Sequence, residues 1–285
     1  MRNLKHLLAA TAASIVSTAA LAADLPIAPP PAYAPPPPCC ASNDFGGWYL
    51  RGDIGFSNQK VKNLVDTNSN AYTNELVSQT SNFDSGGIYD VGVGYQFNNW
   101  FRADITGQYR GSANFRGVDS ITGTGPFAGF VGTDQYGASK SELVFLANAY
   151  IDLGTWWCVT PFIGAGIGTS RVSINGFTDT GDFIQGTQKH SFTTAGNASQ
   201  WNFAWAAHAG LAYHVNPGLT VELAYSYMSL GNGTTGATNS FDQFTVVNGA
   251  PFAFHNITSN DIKLGVRWSL DPTPAYAPHP LITKG

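Results

Sequence analysis

The chain has 285 residues, and 14 Lys plus Arg against 18 Asp plus Glu give it a formal net charge of −4 at neutral pH. This acidic balance argues against nucleic-acid binding, so we expect no nucleic-acid partner. Beyond the N-terminal segment, no apolar run is long enough to span a membrane as a helix, and no helical amphipathic period of useful length appears.

The N-terminus has the features of a secretory signal peptide. Arg2 and Lys5 precede an apolar run over residues 7–21, and Ala20 and Ala22 are small residues at the two positions that a signal peptidase reads. We therefore expect residues 1–22 to be removed. A retained membrane helix is the alternative, but threonines and serines make the run only weakly apolar.

A proline-rich segment follows over residues 23–46, and its sequence PAYAP returns in the C-terminal segment, residues 271–285. We expect both segments to lie in the periplasm. A stiff polyproline spacer is one interpretation, and a docking motif for the cell wall or a periplasmic partner is the other.

Eight stretches between these segments alternate apolar and polar residues, each with about the 9 to 11 residues of a tilted transmembrane strand. They are residues 48–57, 88–97, 100–110, 142–153, 159–170, 201–215, 219–228 and 261–270. In the third, Phe101 and Ile105 fall on one face, and Arg102 and Asp104 fall on the other. A water-soluble sandwich would alternate in the same way, so the connections and aromatic residues must decide.

The connections alternate between short and long. Three are tight, at residues 98–99, 154–158 and 216–218, and four are long and rich in Gly, Ser, Thr and Asn, at residues 58–84, 111–141, 172–200 and 229–260. That alternation is typical of outer-membrane barrels. The sequence therefore predicts an all-β fold, an eight-stranded antiparallel up-and-down transmembrane β-barrel over residues 47–270, with short periplasmic turns and four long extracellular loops.

The tryptophans support a barrel that spans a bilayer, because indole rings prefer the membrane interface. Five are expected near the periplasmic boundary: Trp48, Trp100, Trp156, Trp157 and Trp268. Trp201 and Trp205 are expected toward the other rim. The sequence thus predicts two aromatic girdles.

The polar faces predict a network of charges inside the barrel. Its expected members are Arg51, Asp53, Asp90, Arg102, Asp104, Glu142, Glu222, Lys263 and Arg267. Eight strands leave an interior that side chains nearly fill, so each charge needs a partner. We expect the paired network to block the tube. A gate, in which exchanged partners open a path for small solutes, is the alternative.

The sequence offers little evidence for catalysis. His208, Glu222 and Ser226 superficially supply a base, an acid and a nucleophile, but they are predicted to face the lumen, so we expect no catalytic residue and no enzymatic activity. Cys158, in a periplasmic turn, is expected within reach of Cys39 or Cys40 across the base of the barrel. A vicinal Cys39–Cys40 bridge and free thiols remain open alternatives.

Four short motifs carry a family resemblance: AADLP at residues 22–26, GWYLRG at 47–52, TPFIGAG at 160–166 and KLGVRW at 263–268. With them the chain resembles the small surface-antigen outer-membrane proteins of alphaproteobacteria, within the wider OmpA-type group of eight-stranded β-barrels. The resemblance implies a structural envelope protein and immunogen. Because some members bind haem at the cell surface, it also makes His190 and His255 candidate haem ligands, with solvated loop histidines as the alternative.

The sequence therefore predicts a protein of a Gram-negative outer membrane, with extracellular loops and both termini in the periplasm. We expect an envelope-stabilising, surface-exposed role as antigen or adhesin, without a cofactor or metal. Expected partners are outer-membrane lipid and lipopolysaccharide, the barrel assembly machinery and, if the proline-rich segments dock, the cell wall. A narrow solute channel or a surface haem- or ligand-binding barrel is the alternative function.

Overall fold

The computed structural model describes residues 47–67, 75–242 and 245–270. The predicted signal peptide (1–22), the two proline-rich segments (23–46 and 271–285) and Cys39 and Cys40 lie outside the described residues. Within the described ranges, no helix is both long and apolar enough to cross a membrane.

Antiparallel strands make up most of the described chain. They are β1 (Gly47–Lys60), β2 (Asn63–Asp66), β3 (Glu75–Phe83), β4 (Gly86–Gln96), β5 (Phe101–Gly123), β6 (Val131–Asp152), β7 (Val159–Gln185), β8 (Thr187–Ala195), β9 (Ala198–Asn216), β10 (Leu219–Thr234), β11 (Thr238–Asp242), β12 (Thr245–Gly249) and β13 (Phe252–Ser269). A 3-10 turn, Gly125–Phe127, lies between β5 and β6.

Eight of these strands close into a barrel in the order β1, β4, β5, β6, β7, β9, β10, β13, with β13 pairing back to β1. Each contains one of the eight predicted stretches to within one residue, so the predicted fold class is confirmed. The short connections meet at one end, which we call the turn end. Asn98 helps to close the first of them, because its Oδ1 accepts hydrogen bonds from the backbone N–H groups of Trp100 and Phe101 at 3.0 and 2.8 Å.

In the described residues the four long connections are built largely of strands, where the sequence predicted long loops. β5 and β6 remain paired from Phe101 and Ile151 to Thr122 and Val131. β7 continues to Gln185, and β8, β11 and β12 add to its edge. The predicted strands were too short because Gly, Ser, Thr and Asn at outward positions resemble loop composition, although their backbones still pair.

Irregularities separate the predicted membrane strands from these continuations. The β5–β6 pairing shifts between Arg110 and Ala113, and buried positions on β5 change there from even to odd numbers. Left-handed backbone conformations mark similar points on β7 (Gly176), β10 (Gly231) and β13 (Asn256). We call the eight strands from the turn end to these points the barrel. The extension comprises β2, β3, β8, β11 and β12 with the parts of β5, β6, β7, β10 and β13 beyond them.

The interior changes character along the axis. Toward the turn end it is polar and charged, whereas toward the extension a buried hydrophobic cluster fills it. We call that cluster the apolar cap, and it contains Val61, Leu64, Phe83, Ala113, Phe115, Val144, Leu146, Val172, Ile174, Phe177, Ala204, Ala206, Met228, Leu230, Phe252, Phe254 and Ile257. Its rings pack closely, with centroids of Phe115 and Phe254 at 5.0 Å and those of Phe177 and Phe252 at 4.7 Å.

Candidate functional site

The charged interior of the barrel centres on Glu222, a buried residue of β10. Its Oε1 lies 3.4 Å from Arg102 Nη2 and 3.3 Å from Arg267 Nε, and its Oε2 lies 3.7 Å from Arg51 Nη2. The nitrogens of Arg102 and Arg267 are within ion-pair distance of Oε1, but neither has the geometry of a hydrogen bond to it. One carboxylate thus holds guanidinium groups from β1, β5 and β13 together across the lumen.

Arg51 carries the network further. Its Nη1 donates to Asp104 Oδ2 at 2.9 Å and to the Tyr150 hydroxyl at 3.0 Å, and its Nη2 donates to Asp53 Oδ1 at 3.0 Å. Asn148 Nδ2 donates to the second oxygen of Asp104 at 2.8 Å. These short, charge-assisted bonds join β1, β5 and β6 through side chains as well as through the backbone ladder.

Arg102 is fully buried and is held by both charge and aromatic surface. Its Nε lies 3.3 Å from Asp152 Oδ1, and its guanidinium carbon lies 4.3 Å from the ring centroid of Tyr150 and 4.7 Å from that of Phe162. Planar guanidinium groups suit such faces, because they stack as well as pair.

A second cluster lies against the apolar cap. Arg110 donates to both oxygens of Asp261, at 2.6 and 2.8 Å, and its Nε lies 3.5 Å from Glu142 Oε2. Glu142 also pairs with Lys140, and Gln59 Nε2 donates to its Oε2 at 3.2 Å. Because all five side chains are buried, the charges are compensated by one another and not by bulk water.

The structure places all nine residues of the predicted lumen network inside the barrel and in ion pairs. The predicted set lacked four further members, Arg110, Lys140, Asp152 and Asp261. Asp152 and Lys140 occupy even-numbered positions of β6, as Glu142 does, and side chains at these positions face the lumen. This alternation is the sequence signal that could have identified both residues. Apolar Val144 and Leu146 interrupt it, because the inward face there belongs to the apolar cap.

The three residues considered for catalysis do not assemble into a triad. His208 Nδ1 lies 2.7 Å from Ser226 Oγ, but its Nε2 faces Asn148 Oδ1 at 3.2 Å, where a triad would need a carboxylate. Glu222 is turned toward the arginines instead. His208 and Ser226 are both buried in the lumen.

The seven tryptophans all lie on the outer surface, with exposures between 41% for Trp205 and 94% for Trp157. Between them the barrel presents an apolar band, including Ile54, Val91 and Phe203, each at least 60% exposed. Such exposure is unfavourable in water and natural in lipid.

The two candidate haem ligands lie on strands that do not pair with each other. His190 belongs to β8 and pairs with Asp182, whereas His255 belongs to β13, opposite Asn63 of β2. Among the described residues, no group of three or more His, Cys, Asp and Glu side chains is arranged to hold a metal ion. Cys158 is buried and disulfide-bonded, and its pairing with Cys39 or Cys40 stays a prediction.

The extension has its own group of acidic residues on its inward face. Asp119 lies opposite Asp134 across the β5–β6 ladder, and Asp179 lies opposite Tyr136 across the β6–β7 ladder. Tyr136 Oη and Gln79 Nε2 each donate to Asp119 Oδ2 at 3.2 Å.

Burial is the main reason that these carboxyl groups are harder to ionise than usual. It raises the pKa of Asp134 to about 6, with further contributions from the charges of Asp119 and Glu75. It raises the pKa of Asp179 to about 7, with contributions from Asp134, Asp119 and Asp66.

Comparison with known proteins identifies relatives of the whole barrel. A family model described as "Outer membrane protein beta-barrel domain" matches residues 8–269. An uncharacterised protein of Brucella suis is 34% identical over 203 residues, which cover 66% of this chain and 69% of the relative. A protein of Rickettsia bellii named as a candidate adhesin is 27% identical, with 89% and 95% covered. Outer membrane protein PagN of Salmonella typhimurium is 25% identical, with 78% and 90% covered.

Two solved structures are also similar. Neisserial surface protein A aligns with a TM-score of 0.42 and 15% identity, covering 79% of this chain and 97% of its own. OprG of Pseudomonas aeruginosa aligns with a TM-score of 0.44 and 12% identity, with the same coverage.

Proposed function

This chain belongs to the family of outer-membrane β-barrel proteins, and from that membership we propose that it is a non-enzymatic barrel that stabilises the envelope and presents its extension at the cell surface. The names of two relatives, a candidate adhesin and PagN, an outer membrane protein, support a surface-exposed role, as antigen or adhesin.

The filled interior is the observation that carries the structural part of this proposal. A channel needs a continuous path of water, but buried side chains occupy this lumen. Arg102, Arg110 and Lys140 are fully buried in the charged clusters, and Phe115 and Phe254 are at most 1% exposed in the apolar cap. Eight strands leave space only for side chains, so the pairs join the walls of the barrel instead of lining a pore.

Non-enzymatic function is proposed from the placement of the reactive groups. Ser226 is fully buried and His208 is 7% exposed, so a substrate in the membrane or the aqueous phase would not reach them. Their third contact is the Asn148 amide, which cannot stabilise an imidazolium as a carboxylate does.

We further propose that the turn end faces the periplasm and that the extension faces outward. Short turns on one side and long connections on the other support this orientation, because outer-membrane barrels have that asymmetry. It makes lipid and lipopolysaccharide partners of the outer surface and the assembly machinery a partner during insertion. The proline-rich segments would then be available to the cell wall.

Conductance in planar bilayers tests the filled interior. We expect the refolded full chain to give no large, steady single-channel currents. If the charge network forms a gate, Arg110→Ala should raise conductance by freeing its partners, whereas Lys189→Ala on the exposed face of β8 should leave it unchanged. Large, steady currents from the unmodified protein would overturn the structural proposal in favour of the narrow channel.

Labelling of intact cells tests the orientation. A membrane-impermeant amine reagent should modify Lys62 and Lys189, which are exposed in or beside the extension, and leave the buried Lys263 unmodified. Modification of Lys62 and Lys189 only after permeabilisation of the outer membrane would place the extension in the periplasm instead.

A further inference from the structure

We propose that a cleft on the outward face of the extension binds an anionic saccharide through its phosphate or carboxylate groups. The cleft has a volume of about 530 Å³ and lies across β5, β6 and β7. Its polar lining consists of Asn114, Arg116, Ser139, Asn175 and Thr178. This inference rests on the proposed outward orientation, because only that orientation gives the cleft access to surface sugars.

Two β-bulges, on the strands β5 and β7 that flank β6, make the cleft. β5 has one residue more than β6 between the pairs Arg110–Glu142 and Ala113–Lys140. β7 likewise has one residue more than β6 at Gly176, where the pairing changes from Gly137–Thr178 to Ser139–Asn175. Bulges bend a sheet and re-aim its side chains, and they recur at barrel rims and beside functional sites.

Glycine keeps the floor of the cleft open. Gly176 has a φ of +60°, and a Cβ built on it meets nothing within 4 Å, so the residue borders open space. Its backbone N–H donates to Asn197 Oδ1 at 3.0 Å, which fixes this left-handed turn. This hydrogen bond therefore fixes the backbone that forms the floor of the cleft.

Arg116 supplies the charge. The four buried arginines of the barrel, Arg51, Arg102, Arg110 and Arg267, all have carboxylate partners. Exposed Arg116 forms no ion pair with any acidic residue in the described part of the chain. A planar guanidinium with free donors suits the bidentate geometry of phosphate and carboxylate groups.

Neutral groups around Arg116 suit the hydroxyls of a sugar. Ser139 and Thr178 offer hydroxyls, and Asn175 offers both a donor and an acceptor. Asn114 Nδ2 donates to Asp84 Oδ2 at 3.2 Å, and this carboxylate lies at the margin and is not part of the lining of the cleft. One cation among neutral hydrogen-bonding groups favours an acidic saccharide over a polycation or an apolar ligand.

A second exposed arginine extends the site toward the membrane. Arg171 also forms no ion pair with an acidic residue among those described, and it precedes Asn175 by four residues on the outward face of β7. Its Nη2 donates to Ser199 Oγ at 3.3 Å, and Ser173 Oγ donates to the same oxygen at 3.2 Å. Two separated guanidinium groups match a saccharide with more than one anionic group.

The position of the cleft along the barrel axis, relative to the apolar outer band, indicates where such a sugar would come from. On β5 the outward face is apolar through Ile105 and Tyr109 and becomes polar at Asn114. Five residues rise about 16 Å along the strand and, at a tilt of about 40°, about 12 Å along the barrel axis. The cleft therefore lies beyond the lipid tails, level with the sugars of lipopolysaccharide. A free anionic glycan outside the cell is the second source of the same chemistry.

Binding to the full chain in nanodiscs tests the proposal with two probes. One is lipopolysaccharide with a phosphorylated inner core, incorporated in the disc, and the other is the lipid-free inner-core oligosaccharide added to discs of phosphatidylcholine. Arg116→Ala should weaken binding about tenfold or more, since it removes a charge-assisted pair. Arg171→Ala should have a smaller effect, and Lys189→Ala, which removes an exposed cation elsewhere in the extension, should have none.

The outcomes distinguish the two sources of the saccharide, membrane lipopolysaccharide and soluble glycan, and show whether the proposal fails. Arg116-dependent binding of lipopolysaccharide alone assigns the site to membrane saccharide, and Arg116-dependent binding of the free oligosaccharide assigns it to soluble glycan. Equal losses for Arg116→Ala and Lys189→Ala, or no binding of either probe, would overturn the proposal. Since discs expose both ends of the barrel, such a failure would not depend on the orientation, which cell labelling tests separately.

Discussion

The barrel and the extension share continuous strands, but their side chains are sorted in opposite ways. In the barrel the outward face is apolar, as at Phe56 and Ile262, and the inward face carries ion pairs. In the extension the outward face of β5 carries Asn114, Arg116 and Ser120, and Phe115 is buried inside. The sorting reverses where the predicted surroundings change from lipid to water.

The medium around a strand, lipid or water, therefore decides which of its side chains are buried, and the pattern of backbone hydrogen bonds does not. In lipid, apolar side chains gain nothing by moving inside, so the lumen is left to groups that satisfy one another. In water, burial of apolar surface is favourable, so β5 of the extension turns Phe115 inward, beside the inward-facing group of Asp119, Asp134 and Asp179. The apolar cap at the junction belongs to both regions and closes the charged lumen.

The largest expected effect comes from breaking an ion network in the barrel. Arg102→Ala removes a fully buried partner of Glu222 and Asp152 and leaves both carboxylates under-compensated. We expect it to lower the free energy of unfolding by about 3 to 5 kcal/mol, against about 0 to 1 kcal/mol for Arg116→Ala on the extension. Urea unfolding in lipid vesicles measures both, and equal losses would mean that the lumen is wet.

A cavity in the apolar cap should have the next largest effect. Phe254 is fully buried and contacts the rings of Phe83 and Phe115, so Phe254→Ala should cost about 3 kcal/mol, the lower end for a buried ring. Phe241→Ala is the matched control, because that ring is 47% exposed on β11. Limited proteolysis of the extension should accelerate only for the former, and similar rates for both variants would count against a packed cap.

Periodicity predicted the barrel well because a bilayer imposes one simple rule on every strand. Arg102, Asp104 and Glu222 could be placed in the lumen from alternation alone, since each lies between residues that face lipid. The eight strands and their antiparallel order followed from the same pattern with the short turns.

The extension could not be predicted in this way, because the bulges change parity without a clear sequence signal. Continuing the alternation of β5 past Arg110 would point Phe115 outward, whereas the shift at residues 111–112 turns it inward. The cleft beside Arg116 depends on a second bulge at Gly176, and the alignment of two bulges is a property of three paired strands.

Inside the extension, the side chain of Gln79 connects two strands. β2 and β3 are not paired by backbone, and the Gln79 side chain joins them: Oε1 accepts from Leu64 N at 2.9 Å, and Nε2 donates to Leu64 O at 3.1 Å. Gln79→Ala leaves both Leu64 groups without this partner, so we expect a loss of about 1 to 2 kcal/mol. Hydrogen exchange at Leu64 should accelerate about tenfold or more, while Gln135→Ala, on an exposed side chain of β6, should not change it.

The last expected effect is a pH dependence confined to the extension. The pKa of Asp134 is raised to about 6 and that of Asp179 to about 7, both above the value near 4 of an unfolded aspartate. Between about pH 4 and pH 7 the folded extension therefore binds more protons than the unfolded chain. Its stability is highest at the acid end and falls as pH rises through this range, with little further change above about pH 7.

Burial, and then the negative charges that face these carboxyls, explain why the effect has this sign. Asp119 lies opposite Asp134, and Glu75 and Asp66 add negative charge from β3 and β2, whereas the described residues supply no cationic partner to Asp134 or Asp179. Amide exchange of β6 and β7 in the extension, corrected for intrinsic rates, should show more protection at pH 5 than at pH 8. Asp179→Asn should reduce that difference by removing one titrating group, and Asp84→Asn, at an exposed carboxylate whose partner Asn114 does not titrate, should leave it intact. Equal protection at the two pH values would show that water reaches these aspartates freely and that the interior of the extension is not sealed as that of the barrel is.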